Sequence, residues 1–403
     1  MIRRLGNDKD KFGYYRVGEY RTYSKVEAIE LAHRQNRQWI DWHFNDLEFG
    51  AYDWTQEPTQ SLPELYAQRA QQIRDTYDYV VLFYSGGSDS TNMLDAFVDN
   101  GIAFDEVVTL GYWDIDPNPN SHFHSELVQV AWPRIKHLQS QGLTFRHRHV
   151  DLGRTSVNLL SDSSMALNRP YLATTIFTTN HLSKSYIRET TPDYLRIIDS
   201  DQRLVFVFGH DKPRLFKVND RYCVRFLDTV DHAVPVRTQL QNRSWEYDEC
   251  FYQAPECCDL ICKQAHVLLK FFRANPLLFD EKKYYSDTSP DSSALNNFFG
   301  NAYFFARPID ADPAKSSGRP MTYRRMLNSL LYHTWDPNSH DAGKHPGLIY
   351  GPRDQCITDK QYLNSHLEAI AQHFRQLPPH WLNDTNDPNR GLVGCLSQPY
   401  FLE

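Results

Sequence analysis

The 403-residue chain has no apolar run long enough to cross a bilayer, and its opening Met1-Ile2-Arg3-Arg4-Leu5-Gly6 lacks the apolar core of a secretion signal. Both absences predict a cytoplasmic protein with no membrane partner. Cysteine is sparse: seven residues, an odd number at irregular spacing, with no Cys-x-x-Cys pair. That argues against a disulfide framework, lacks the usual spacing of a redox or zinc site, and predicts reduced thiols. Positive charge is also short. Lys and Arg number 43 against 50 Asp and Glu, a formal charge of −7, which argues against a surface built for bulk nucleic acid. The chain has no internal repeat and no low-complexity tail. Aromatic residues are plentiful instead: 24 Tyr and 23 Phe within a 14% aromatic share predict thick packing in a chain long enough for two domains.

The most informative stretch is residues 79–99. Tyr79-Val-Val-Leu-Phe-Tyr84 reads as a strand buried on both faces of a parallel sheet. Ser85-Gly86-Gly87-Ser88-Asp89-Ser90 follows with no apolar side chain, and Met93, Leu94, Phe97 and Val98 then recur at helical spacing. A strand, a tight Gly-Gly turn and a helix start make an anion site. Glycines allow close backbone approach, N–H groups point at the anion, and the helix dipole favours its charge, with three serine hydroxyls as further donors. The plain alternative is a helix capped by Ser or Asp.

This run resembles the PP-loop, Ser-Gly-Gly-x-Asp-Ser, of the ATP pyrophosphatase family. That family includes the synthetase domains of asparagine and GMP synthetases, the sulfur-inserting tRNA enzymes and, as a variant, the PAPS reductases. No Lys follows the glycines, so it is not a Walker A loop. Close likeness covers residues 79–111 and a looser one reaches about residue 228. The rest of the chain is most similar to uncharacterised PP-loop proteins of large tailed bacteriophages, which points to an infected bacterial host as the setting.

The resemblance implies an α/β fold: a Rossmann-like (HUP-type) parallel sheet with flanking helices, with ATP and Mg²⁺ as cofactors. The family's chemistry is AMP-forming. A substrate oxygen (carboxylate, amide or nucleobase carbonyl) attacks the α-phosphorus, pyrophosphate leaves, and a nitrogen or sulfur nucleophile displaces AMP. Carried over by motif position, Ser85, Gly86, Gly87 and Ser90 would hold the pyrophosphate portion, and Asp89 would organise the loop or its Mg²⁺. Ser88 occupies the variable position. Adenine would lie against main chain near Gly111 and Tyr112, with Trp113 close by. The chain starts Met1-Ile2 rather than with cysteine, so a glutaminase of the asparagine synthetase type is not expected. Two other readings stand beside this one. One is a PAPS reductase or sulfurtransferase using Cys395, whose Gly-Leu-Val-Gly-Cys-Leu setting departs from the usual pattern. The other is a non-catalytic nucleotide-binding or assembly module.

The remaining sequence divides into an N-terminal extension (1–60), a nucleotide-binding α/β domain (61–228) and a mainly helical C-terminal region (229–403). In the extension, Ser24–Glu27 is a capping box, and Trp39–Phe44 and Trp54 read as packing elements. Ser61-Leu-Pro-Glu64 is a second capping box, opening a helix to about Tyr77. Strands are expected over 106–113 and 145–150, with a helix over 121–141 kinked near Pro133. Leu204–Phe208 is another buried strand, followed by Gly209, His210, Asp211, Lys212 and Arg214. If it lies beside the PP-loop strand, Lys212 and Arg214 would neutralise the β- and γ-phosphates and Asp211 would help hold Mg²⁺. A surface turn of mixed charge is the alternative. Residues 217–228 read as a hairpin turning at Asn219-Asp220, and 255–273 as an apolar helix with Lys263, Gln264 and His266 as weak substrate-contact candidates. Helical patterns also cover 158–168, 180–189, 322–332 and 366–377. Cys250, Cys257, Cys258 and Cys262 read as buried structural thiols. Asn180, His181, Lys184 and Arg188 read as a solvated helix face, and His333, Asp336, His340, Asp341 and His345 as loop residues without metal-ligand spacing.

Overall fold

A computed structural model describes residues 13–22, 28, 31, 32, 34, 35, 40–111, 113, 117, 119, 124, 126–151, 192–209, 213–226, 246–276, 330–331 and 396–403. Five parallel strands form its central sheet: β4 (Tyr79–Phe83), β5 (Glu106–Gly111), β6 (Arg146–Asp151), β7 (Leu204–Phe208) and β10 (Glu246–Cys250), in the order β10-β7-β4-β5-β6. From β4 the chain steps outward to β5 and β6, then returns to the other flank of β4 with β7, where Phe83 pairs with Phe208. The winding direction therefore reverses at β4, the place where open α/β sheets hold ligands.

The continuous apolar runs of β4 and β7 follow from cover on both faces. Val80 through Phe83 and Leu204 through Phe208 are all 5% exposed or less. The period of two divides them. Val80 and Leu82 join the core beneath α2 (Leu62–Thr76), α3 (Ser88–Val98), α4 (Trp132–Ser140) and α6 (Cys258–Ala274). Val81 and Phe83 join the opposite core with Tyr194 of α5 (Pro192–Asp199). The capping box of α2 is complete, with Ser61 and Glu64 exchanging both bonds and Pro63 in the first turn. Before Pro133 the helix widens into a π turn over Leu127–Ala131, in which the Trp132 N–H donates to Leu127 O. Proline has no N–H to give to a carbonyl four residues back, and the wide turn absorbs that loss in place of a break.

Two small antiparallel sheets and a short helix, α1 (Asp46–Gly50), flank this unit. One orders β1 (Tyr14–Val17), β2 (Tyr20–Thr22) and β3 (Asp41–His43) as β2-β1-β3. The other is the expected hairpin, β8 (Arg214–Val218) and β9 (Arg221–Arg225), turning through Asn219 and Asp220 at φ 51° and 61°. Its third strand, β11 (Tyr400–Phe401), comes from the chain's last residues and pairs with β9. Phe226 ties the extension to this hairpin: its ring lies 5.1 Å from Phe44, 4.5 Å from Phe49 and 5.9 Å from Tyr400. The packing role read for Trp42, Phe44 and Trp54 thus matches their burial. The fifth strand of the central sheet, β10, lies beyond residue 228, where the sequence placed a domain boundary, and β11 adds a strand to a region read as mainly helical.

Cys250, Cys257 and Cys262 are buried and Cys258 is half-buried, and none is disulfide-bonded. Burial pushes Cys257 up to about 11 and Cys262 up to about 12, and raises Cys258 as well, so these thiols are inert packing groups. Among the described residues no helix is long and apolar enough to cross a membrane.

Candidate functional site

The loop Ser85–Ser90 leaves the carboxyl end of β4. Tyr84 N–H still pairs with Val108 O, and the chain then turns through Gly86 at φ +86° to enter α3. Gly86 is buried against the stretch leading into α4: a Cβ there would lie 2.9 Å from Glu126 O and 3.1 Å from Ala131 N. Gly87 stands at the N-cap of α3, where it supplies no side-chain cap. The serines divide by role. Ser85 is exposed, whereas Ser88 and Ser90 are buried. Ser90 Oγ lies 3.0 Å from Ser85 Oγ, accepts from Ser85 N–H and donates to Gly87 O, while Gly87 N–H donates to Ser85 Oγ. Ser90 therefore holds the loop's shape, and Ser85 is the hydroxyl on its outer side. Asp89, 9% exposed, sits in the first turn of the helix.

Neighbouring strand ends close around this loop. Gly209, the residue after β7, packs so tightly that a Cβ there would lie 3.0 Å from Ser90 Cα and 3.1 Å from Asp89 O. This puts the carboxyl end of β7 beside the loop, as the sequence reading required. On the other flank Gly111 ends β5, two residues short of the expected Trp113. A Cβ on Gly111 would meet His149 at 2.6 Å and Trp113 Nε1 at 2.8 Å. Glu126 went unnoticed in the sequence. It is exposed on the loop's rim, with a carboxylate oxygen 3.6 Å from where a Cβ on Gly87 would stand. Only the long connection from β5 to α4 brings it there.

Trp113 is the centre of an aromatic stack. Its ring stacks nearly parallel to His124 at 3.8 Å and lies 5.7 Å from Trp132. Indole nitrogen only donates, so Trp113 Nε1–H fixes His149 Nε2 as an acceptor at 3.0 Å. His149 Nδ1 then carries the proton and donates to Thr109 Oγ1 at 3.1 Å, and the Thr109 hydroxyl donates to His147 Nε2 at 3.0 Å. Both rings are neutral in this chain of bonds. Burial, with His147 and His124 nearby, pushes His149 down to about 4, and burial lowers His147 against the pull of Glu106. An unfolded histidine titrates near 6.5, so the unfolded chain binds more protons as pH falls below that value. The contribution of these rings to stability is complete above pH ~6.5 and is lost as pH drops towards 4. The melting temperature should therefore fall between pH 6.5 and 4.5, and by less in His149→Gln, which keeps an acceptor for Trp113 but cannot titrate.

The structure thus brings together Ser85, Gly86, Gly87, Ser88, Asp89, Ser90 and Gly111 at the carboxyl edge of the sheet. Tyr112, Asp211 and Lys212 lie outside the described residues, as do the side chain of Arg214, the 180–188 face, the 333–345 histidines and Cys395. Arg214 itself begins β8. Gln264 and His266, weak contact candidates on α6, are buried in bonds to Tyr66 and Trp54 O, and Lys263 pairs with Glu57. Among the described residues no group of three or more His, Cys, Asp or Glu could hold a metal ion by itself. Mg²⁺ on a nucleotide needs only one or two carboxylates beside the phosphates; Asp89 lies in the first turn of α3 and Glu126 on the loop's rim. No protein-family model matches this chain, and no curated protein matches it either.

Proposed function

We propose that this protein is an ATP-dependent, AMP-forming enzyme that binds the triphosphate at Ser85–Ser90, on a sheet of the HUP type. One observation carries the reading: a sharply turned Ser-Gly-Gly loop leaves β4, the strand at which the sheet reverses its winding, and enters a helix whose N-cap is a glycine. Ser85 and the loop amides would take the pyrophosphate half of ATP, and Asp89 with Glu126 would hold Mg²⁺. The metal, when bound, neutralises charge on the departing pyrophosphate. The α-phosphorus then faces a substrate oxygen held at the sheet's edge, and positioning with charge neutralisation supplies the rate. Lys212 and Arg214, beyond β7, are the proposed cations for the β- and γ-phosphates.

The test is incubation with α-labelled ATP, Mg²⁺ and candidate acceptors bearing a carboxylate, amide or nucleobase carbonyl. AMP and pyrophosphate should appear, and Asp89→Asn should lower the rate by about 100-fold, the scale of losing one electrostatic group in such a site. ADP as product, or no binding of ATP, overturns the reading. Tight binding without turnover, indifferent to Asp89→Asn, replaces it with a nucleotide-binding module.

A further inference from the structure

We propose that Tyr252 is a positioning residue for the phosphate loop, acting through the Asp89 carbonyl, and that Asn92 sets the direction of its hydroxyl. The proposal rests on the ATP reading above. Tyr252 lies two residues beyond β10 and is fully buried. Its backbone is anchored, because Phe251 N–H donates to Phe208 O at 2.9 Å and carries the β7–β10 ladder past the strand end. Its ring packs 5.0 Å from Phe251 and 6.1 Å from Tyr66. From this fixed base the phenol donates to Asp89 O at 2.7 Å, in the first turn of α3.

A phenol has a single proton, so a donor on its oxygen decides where that proton goes. Asn92 Nδ2 supplies this donor at 2.9 Å, which leaves the Tyr252 proton for Asp89 O. Asn92 Oδ1 is buried without a hydrogen-bond partner among the described residues. An apolar side chain would fill the same space without stranding an acceptor, so the amide's presence is accounted for by its donor. Gly209 lies beside the Asp89 carbonyl on the β7 side, so close that a Cβ there would stand 3.1 Å from that oxygen. The Asp89 peptide, in the first helical turn after the anion-binding loop, is thus clamped from two strand ends, one of them 163 residues away in sequence. Such a clamp fixes the height of the turn's N–H groups, and anion sites lose affinity when these shift by a fraction of an ångström.

Tyr252→Phe in the full-length protein removes the hydroxyl and keeps the ring. Three measurements decide the matter: calorimetric ATP affinity with Mg²⁺, melting temperature, and amide exchange over residues 86–93. ATP affinity should weaken about tenfold, the scale of a small misplacement in a positioned site. Melting should shift by less than about 2 °C. Exchange should quicken over 86–93 and nowhere else. Asn92→Ala should act in the same direction, and the double variant should be no worse than Tyr252→Phe alone. Unchanged exchange over 86–93, or a general loss of protection with lowered melting, overturns the proposal. If the wild type fails to bind ATP, the functional reading falls, while the exchange arm still decides whether Tyr252 sets the turn.

Discussion

Gly86→Ala should cost the protein about 2–5 kcal/mol and abolish ATP binding. Two costs add. At φ +86° an L-residue is strained by roughly 1–2 kcal/mol. The new methyl would also sit 2.9 Å from Glu126 O and 3.1 Å from Ala131 N, which are backbone atoms at the π turn ahead of Pro133 and cannot swing aside. Overpacking of that kind adds about 1–3 kcal/mol. In a chain of this size the sum corresponds to a melting temperature lower by roughly 2–6 °C. Gly87→Ala provides the contrast. Its φ is −72°, and the nearest atom to a Cβ is the Ser85 hydroxyl at 3.3 Å, a side-chain end that can rotate aside where backbone cannot. That variant should melt like the wild type yet bind ATP poorly, because the methyl occupies the approach of the phosphate. Calorimetric melts paired with ATP titrations separate the two effects. A Gly86→Ala protein with wild-type melting would mean that the turn does not press on the 126–131 segment.

Strands β4 and β7 were legible because burial on both faces leaves an unbroken apolar run, and the loop because only Ser, Gly and Asp follow it. The β8–β9 turn was legible for a similar reason: Asn-Asp tolerates the left-handed backbone it needs. What stayed hidden depends on partners distant in sequence. Strand β10 reads Glu246-Tyr-Asp-Glu-Cys250, with no apolar pattern, and is a strand because β7 offers it a ladder. The two residues of β11 are too short to announce themselves, yet Ser397 N–H bonds Phe226 O and Leu402 N–H bonds Tyr222 O. At Pro133 the sequence indicated a disturbance but could not indicate that a π turn would absorb it. Glu126 and Tyr252 carried no local signal at all. Glu126 stands just ahead of the π turn and Tyr252 just beyond β10, and each lies at the loop only because whole elements pack together.

Arg69→Ala should destabilise the protein by about 3–5 kcal/mol, because it leaves the buried Glu249 carboxylate without its cation. Arg69 and Glu249 are 3% and 4% exposed, with Nη2 and Oε2 2.9 Å apart. The guanidinium also donates to Gln72 Oε1, Cys250 O and Phe251 O, and Tyr77 donates to Glu249 at 2.5 Å. Truncation therefore strips donors from the very backbone that leads into Tyr252. Replacing both partners, as Arg69→Met with Glu249→Met, removes the charge and its counter-charge together, and such swaps are often neutral in stability. The double variant should recover most of the lost melting temperature. It should not recover ATP affinity, because apolar side chains cannot hold Cys250 O and Phe251 O in place. Full recovery of both would reduce the pair to a packing element. Recovery of stability alone would mean that a buried charge, costly to desolvate, is kept at this position because it fixes where β10 ends and hence where the phosphate turn begins.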